Sequence, residues 1–350
     1  MQNIHPKAWN TIILYCIFSC FQFSYGQTAF EQRVKFFSDT SVINGTLSFN
    51  IERILKKRDK QGLLFPAEFT STLSDGKIIN DTLLLEIRGH FRRDYCYLPP
   101  LRLIFNNDST QVWYNLKTMK LISACRVAPE YEEYILKEYL IYKMYNLITD
   151  KSFRVRLLNL TYLDSSNNKK PFHDHAFLLE DVKDVARRND CTEFTTVKLH
   201  SESTDRAQMT IVAIFEYMIG NTDWGVSGNH NTRLIMNTKD KITPPFVVPY
   251  DFDYAGIIGT EYAVPDEKLD IQSVTERLYR GFPRTYEELD SAISIFKDRK
   301  TQIYALINNF TLLPAKQRAK MIDYLDEFYV TITHPAYIKQ EFMDKSRTSF

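Results

Sequence analysis

Five apolar runs with strand-like patterning crowd the stretch from Leu47 to about Ser123, and helical spacing takes over only after Pro129. That order confines the chain to an α+β fold. The expected strands are Leu47 to Ile54, Ala67 to Leu73, Thr82 to Phe91, Leu101 to Phe105 and Val112 to Ile122, with turns at Ser74-Asp75-Gly76 and Asn106-Asn107-Asp108. Neighbouring strands joined this way form an antiparallel β-rich first half.

Pro129-Glu130 opens a helix to about Thr149, with Tyr131, Tyr134, Ile135, Leu140 and Met144 near helical spacing. Strands Arg154 to Leu163 and His175 to Leu179 flank the polar turn Asp164 to Lys170. Ser203-Thr204-Asp205 then caps a helix to about Met218. A loop-strand-loop segment covers Gly220 to Ala255, and amphipathic helices Tyr286 to Asn309 and Pro314 to Thr331 follow. An aromatic content of 14% supplies a large core, and neither repeats nor low-complexity tracts occur.

Lys7, the apolar run Trp9 to Phe23 and the small residues Ser24 and Gly26 read as a signal peptide cleaved after Gly26. The run is roughly 15 residues against the ~20 needed to span a bilayer, so no transmembrane segment is expected after cleavage. The protein is then exported to a periplasm, a cell surface or the medium. A lipid anchor at Cys20 is disfavoured by Phe18 ahead of it. Cleavage removes one cation, Lys7, and no acid, leaving 43 side chains of each sign, which argues against a nucleic-acid partner. Cys96, Cys125 and Cys191 remain where thiols oxidise. They allow one disulfide, with Cys96 to Cys125 favoured, and one leftover thiol.

The chemistry concentrates in Gly220-Asn221-Thr222-Asp223-Trp224-Gly225-Val226-Ser227-Gly228-Asn229-His230-Asn231 and in Pro249-Tyr250-Asp251-Phe252-Asp253. Thr232 to Met236 and Phe246 to Val248 read as short strands between them, so a hairpin would bring both clusters to one end. Phosphoryl transfer needs one carboxylate to orient an acceptor hydroxyl, and an amide oxygen with a second carboxylate to hold Mg²⁺. Either cluster alone also reads as ordinary turn-forming sequence.

Taken in order, the two clusters resemble the catalytic and metal-binding segments of atypical protein-kinase-like folds, most nearly the CotH spore-coat and HipA types. The resemblance covers roughly Arg88 to Asp253. It implies that Asp223 is the catalytic aspartate, Asn231 or Asn229 the metal asparagine and Asp251 the metal aspartate, with ATP and Mg²⁺ (or Mn²⁺) as cofactors. It further implies that Lys120, on a strand, pairs with Glu138 on the following helix to hold nucleotide phosphates. Phe177-Leu178-Leu179-Glu180-Asp181 resembles the hinge that meets adenine. Arg88-Gly89-His90-Phe91-Arg92-Arg93 resembles an arginine-glycine element whose cations, Arg88 first, could reach phosphates.

Two departures stand out. No GxGxxG lies on the early strands, and Asn231 and Asn229 follow Asp223 by eight and six residues rather than the five of the usual catalytic loop. The expected architecture is a two-lobed kinase-like fold, with residues 27–180 as a β-rich N-terminal lobe and 181–350 as a helical C-terminal lobe. The expected function is Mg-ATP-dependent phosphoryl transfer to a hydroxyl of a protein or glycan. The alternative is a secreted pseudokinase that acts as a binding module. His173-Asp174-His175 lacks an obvious third ligand and no GxSxG occurs, so metal-hydrolase and serine-hydrolase readings are set aside. Trp224, Tyr254 and Tyr262 read as core aromatics in preference to a wall for a base or a sugar.

Overall fold

The computed structural model describes residues 29–60, 62–72, 76–89, 91–106, 113–195, 199–240 and 242–347. The segment 1–26, read as a signal peptide, His90, Val112 and the residues Ser74, Asp75, Asn107 and Asp108, where turns were expected, lie outside the described residues. Helix α1 covers 29–38. Seven strands follow: β1 (Ile43–Phe49), β2 (Leu64–Thr72), β3 (Ile78–Ile87), β4 (Leu101–Phe105), β5 (Thr118–Ser123), β6 (Val155–Asp164) and β7 (Phe172–Leu179). They close on themselves in the order β1-β2-β3-β4-β5-β7-β6.

This closed barrel overturns the expectation of a two-lobed kinase-like fold with an antiparallel β-rich N-terminal lobe and a helical C-terminal lobe. The closing contact is the parallel pairing of β1 with β6, Ile43 opposite Leu158 through Phe49 opposite Asp164. Closure gives every strand of the barrel a neighbour on both sides. Strands β2 and β3 alternate exposed and buried residues, as a barrel wall must, and the inward set includes Leu47, Phe69, Leu85, Leu103, Leu121 and Leu160.

One expected strand ends early for a local reason. Asn50 accepts a hydrogen bond from the backbone of Arg53 and so caps helix α2 (Ile51–Lys56), where the apolar pattern had suggested continuous strand to Ile54. The expected Val112 to Ile122 strand is likewise shorter, because a 3₁₀ turn at Tyr114–Leu116 precedes β5. Helix α3 (Phe91–Tyr95) follows β3.

Helix α4 (Pro129–Ile148) joins the barrel to the rest of the chain. It is buried on nearly every side. One side packs on the outer faces of β5, β6 and β7 through Ile122, Leu157 and Phe177, and the same core continues into the helical region through Phe215, Phe252 and Phe296. Both faces of β6 and β7 therefore bury apolar residues where α4 covers them, Leu157 and Leu158 on β6 and the run Ala176–Leu179 on β7.

Helix α5 (Val182–Arg188), strand β8 (Cys191–Phe194) and helix α6 (Arg206–Ile219) lead to the hairpin of β9 (Thr232–Asn237) and β10 (Phe246–Pro249). Strands β8, β9 and β10 form a second, three-stranded sheet. Helices α7 (Tyr286–Asn308), α8 (Ala315–Thr333) and α9 (Pro335–Ile338), with a π-helical turn at Lys339–Asp344, complete the helical region. Among the described residues no helix is long and apolar enough to cross a membrane.

Cys96 and Cys125 form a disulfide, and Cys191 is a buried free thiol. The bridge ties the end of α3 to the segment between β5 and α4. Opening a loop of that length, as in the C96A/C125A variant, should lower unfolding stability by about 3 kcal/mol in a denaturant titration. An unchanged midpoint would contradict this role.

Candidate functional site

Helix α6 ends on Gly220, whose φ of 68° makes a left-handed cap. Its position is crowded: a Cβ there would overlap the Tyr324 hydroxyl. Immediately beyond, the Asn221 side chain donates to Glu216 at 2.9 Å and accepts from the Asp223 backbone N–H at 3.0 Å. Arg280 donates to the carbonyls of Thr222 and Trp224 and so clamps both neighbours of Asp223. The Asp223 carboxylate is thus placed by the backbone on either side of it.

The β9–β10 hairpin does the rest. Thr232 stands opposite Pro249, and the Tyr250 N–H donates to the Asn231 carbonyl at 2.9 Å. This fixes Asn231 beside the residue that precedes Asp251. The Asn231 amide donates to Asp223 Oδ2 at 2.9 Å and to the Asp223 carbonyl at 2.7 Å, and among the described residues its side-chain oxygen accepts no hydrogen bond. Asn231 and Asp251 hold φ values of 49° and 66°. Non-glycine residues in that region are uncommon and concentrate at functional sites. The Asp251 N–H donates to the Tyr142 hydroxyl at 2.8 Å, and among the described residues no side chain bonds its carboxylate.

Facing Asp251 are cations from the barrel. Lys120 on β5 places its ammonium 4.9 Å from the centre of the Tyr250 ring, and the Arg233 guanidinium of β9 lies 4.7 Å from the same ring. Burial, with Arg88 and Arg233 next, depresses Lys120 to about 8 against the pull of Asp251. Arg88 follows β3, and its Nε donates to the Leu101 carbonyl at 3.3 Å. Burial lowers Arg88 as well, while Asp251 acts to raise it. Among the described residues neither Lys120 nor Arg88 has a carboxylate ion pair.

The expected ion pair between Lys120 and Glu138 is not formed. Glu138, on α4, sits instead with Asp253 and Arg92, whose guanidinium is 3.8 Å from Asp253 Oδ2. Burial and then Asp253 and Asp251 push Glu138 well above the carboxylate range, and burial followed by Asp251 also raises Asp253. Burial opposes the charge of Arg92, but Tyr262, Asp253, Glu138 and Asp251 outweigh it and hold Arg92 above its usual value. One Glu138 oxygen is buried with no hydrogen-bond partner among the described residues.

The other expected residues fall at the margins. Glu180 is paired to Arg188 at 3.0 Å, and Asp181 caps α5 through the Lys183 N–H, so both carboxylates serve the fold. Asn229 lies in the turn before β9 at φ 50°, where its carbonyl accepts from Arg233 at 3.4 Å. Among the described residues its side chain makes no bond to Asp223 like those of Asn231. Sequence reasoning assigned no role to His230, Arg233 or Asp253. His230 Nε2 lies 2.6 Å from Asp223 Oδ1, and its place between two asparagines was the only available signal.

The Asn231 side-chain oxygen and the Asp251 carboxylate, neither with a side-chain partner among the described residues, are hard oxygen donors of the kind a divalent cation would take. Among the described residues no group of three or more His, Cys, Asp or Glu side chains assembles as a metal site. The fold and site together define a closed barrel joined to a helical region, with acidic and cationic residues facing each other across one seam. The chain matches no protein-family model, and no curated protein matches its sequence.

Proposed function

We propose that the protein binds ATP with Mg²⁺ or Mn²⁺ at this seam and transfers the terminal phosphoryl group to a hydroxyl of a protein or glycan. The observation that supports this reading is that Asn231 bonds Asp223 and its carbonyl holds the backbone of Tyr250, next to Asp251, while Asp251 acts electrostatically on Lys120 and Arg88. The support comes from these side chains and their backbone, not from a kinase fold. Bound divalent metal neutralises phosphate charge and orients the transferring group.

The chain's own groups divide the remaining work. Asn231 and Asp251 offer hard oxygens, and Lys120 with Arg88 offers positive charge to the phosphates. Asp223 Oδ1 now faces the exposed His230 ring. In this reading the acceptor hydroxyl takes that position, its proton passes to Asp223, its oxygen bonds phosphorus and ADP leaves with the broken bond's electrons. The Cys96–Cys125 bridge supports a working compartment that is oxidising, in keeping with export.

The second reading, a secreted binding module, draws on one contact set: both Asp223 oxygens are already engaged, by His230 and by Asn231. Incubation with γ-labelled ATP separates the two. The catalyst reading expects metal-dependent label on acceptor or water, and a module yields none at any metal concentration.

The depressed Lys120 adds a pH signature. Below about 8 the ammonium is charged and binds phosphate; above it the charge is lost. Metal-nucleotide affinity should therefore fall up to tenfold per pH unit above about 8, and Lys120→Met should bind weakly with that slope removed. Isothermal titration across pH 6.5 to 9.5 checks this, and an identical slope in both proteins would count against it.

A further inference from the structure

Away from the residues that carry the proposed transfer, Cys96 of the disulfide lines an open groove of about 690 Å³. Tyr97 and Phe172 form its aromatic wall, ring centres 5.7 Å apart and edge to face, with Tyr97 38% exposed. Arg58, Arg126, Lys169 and Lys170 line the same groove. Arg58 donates only to backbone carbonyls, among them Cys96 at 3.2 Å and Tyr97 at 2.9 Å, so no carboxylate among the described residues offsets its charge. Lys170 is exposed and likewise has no carboxylate partner among them. Two acids soften the rim: Glu261 pairs with Arg126 at 3.4 Å, and Glu52 lies near Lys169.

Tyr97, Arg126 and Phe172 also wall a narrow pit of about 10 Å³, room for one water or one hydroxyl. Asp174 lines that pit. It is only 6% exposed, and its Oδ1 has no hydrogen-bond partner among the described residues. A buried polar atom without a partner is costly, so a ligand group that satisfies it gains affinity. Burial and then Glu132 raise Asp174 to about 8, which makes it a carboxyl donor near neutral pH.

We propose that this groove binds an anionic glycan, with a sugar face on Tyr97 and Phe172, its acidic group toward Arg58 and Lys170, and one hydroxyl in the pit at Asp174. Size, aromatic lining and a few convergent polar groups are those of a small-ligand site. An acidic peptide fits less well. The carbonyls of Arg93, Asp94, Cys96 and Tyr97 are already taken by Arg58, so the segment beside the groove has few backbone acceptors left for a peptide. The inference does not depend on phosphoryl transfer.

The test is calorimetric titration of the whole protein, without nucleotide, with a six-unit oligogalacturonate, a neutral oligoglucan of equal length and an oligoglutamate peptide. The oligogalacturonate alone should bind, more weakly as salt rises. Tyr97→Ala should weaken it at least tenfold, and K169A/K170A several-fold with a shallower salt dependence. These side chains are at the surface, so unchanged melting curves will show that the variants fold. Asp174→Ala, accepted only with a native melting curve, should weaken it further. No binding by the parent, equal binding of oligoglutamate or an unaffected Tyr97→Ala would each overturn the proposal.

Discussion

Replacing Asp251 with asparagine should reduce phosphoryl transfer by about 10³-fold while the protein folds as before. The substitution is chosen for the backbone. At φ 66° an alanine would add strain, whereas asparagine tolerates the left-handed region and keeps the shape. What it removes is the one carboxylate that faces Lys120 and Arg88 with no bonding partner among the described residues. Metal dependence should be lost with it, while binding of metal-free nucleotide should hold or tighten, because the cations no longer face an opposing charge. Asp223→Asn should differ: nucleotide and metal bind as in the parent, and only transfer fails. A D251N protein that retains its metal dependence would remove Asp251 from the proposed site.

A large stability effect should also come from Gly220→Ala. The left-handed cap costs an alanine about 1 kcal/mol, and the overlap of its Cβ with the Tyr324 hydroxyl adds about 1–3 more. We expect a loss of about 3 kcal/mol in denaturant unfolding. Tyr324→Phe removes the clashing oxygen and one hydrogen bond to the Thr275 carbonyl at 3.0 Å. In the double variant the two losses should therefore fall short of their sum by about 1 kcal/mol or more. Strict additivity would show that the backbone moves away freely. Because Gly220 stands three residues before Asp223, the same variant should also lower transfer in whatever fraction remains folded.

Much of the local structure was legible because period and punctuation agreed. Pro129 marks the start of α4, and the hairpin strands β9 and β10 fall within a residue or so of where apolar runs placed them. The hairpin mattered most, since it made two turn-like clusters into neighbours. Closure of the barrel was not legible. It depends on β1 finding β6 across the whole first half of the chain, in parallel, and no local pattern encodes such a pairing. The same blindness to rotation misdirected Glu138. Sequence spacing puts it on α4, but only packing decides that it turns toward Arg92 and Asp253, away from Lys120. Glu180 and Asp181 stood where a hinge was expected, yet one closes an ion pair and the other caps a helix. Arg233 was hidden in a strand whose partly buried pattern looked purely structural.

The account turns on one ion position, and anomalous scattering from crystals grown with Mn²⁺ and a non-hydrolysable ATP analogue measures it most directly. The predicted result is a manganese peak in contact with the Asp251 carboxylate and the Asn231 side-chain oxygen, with analogue phosphates reaching Lys120 and Arg88. Manganese bound elsewhere, or a nucleotide held with no contact to these four residues, would contradict it.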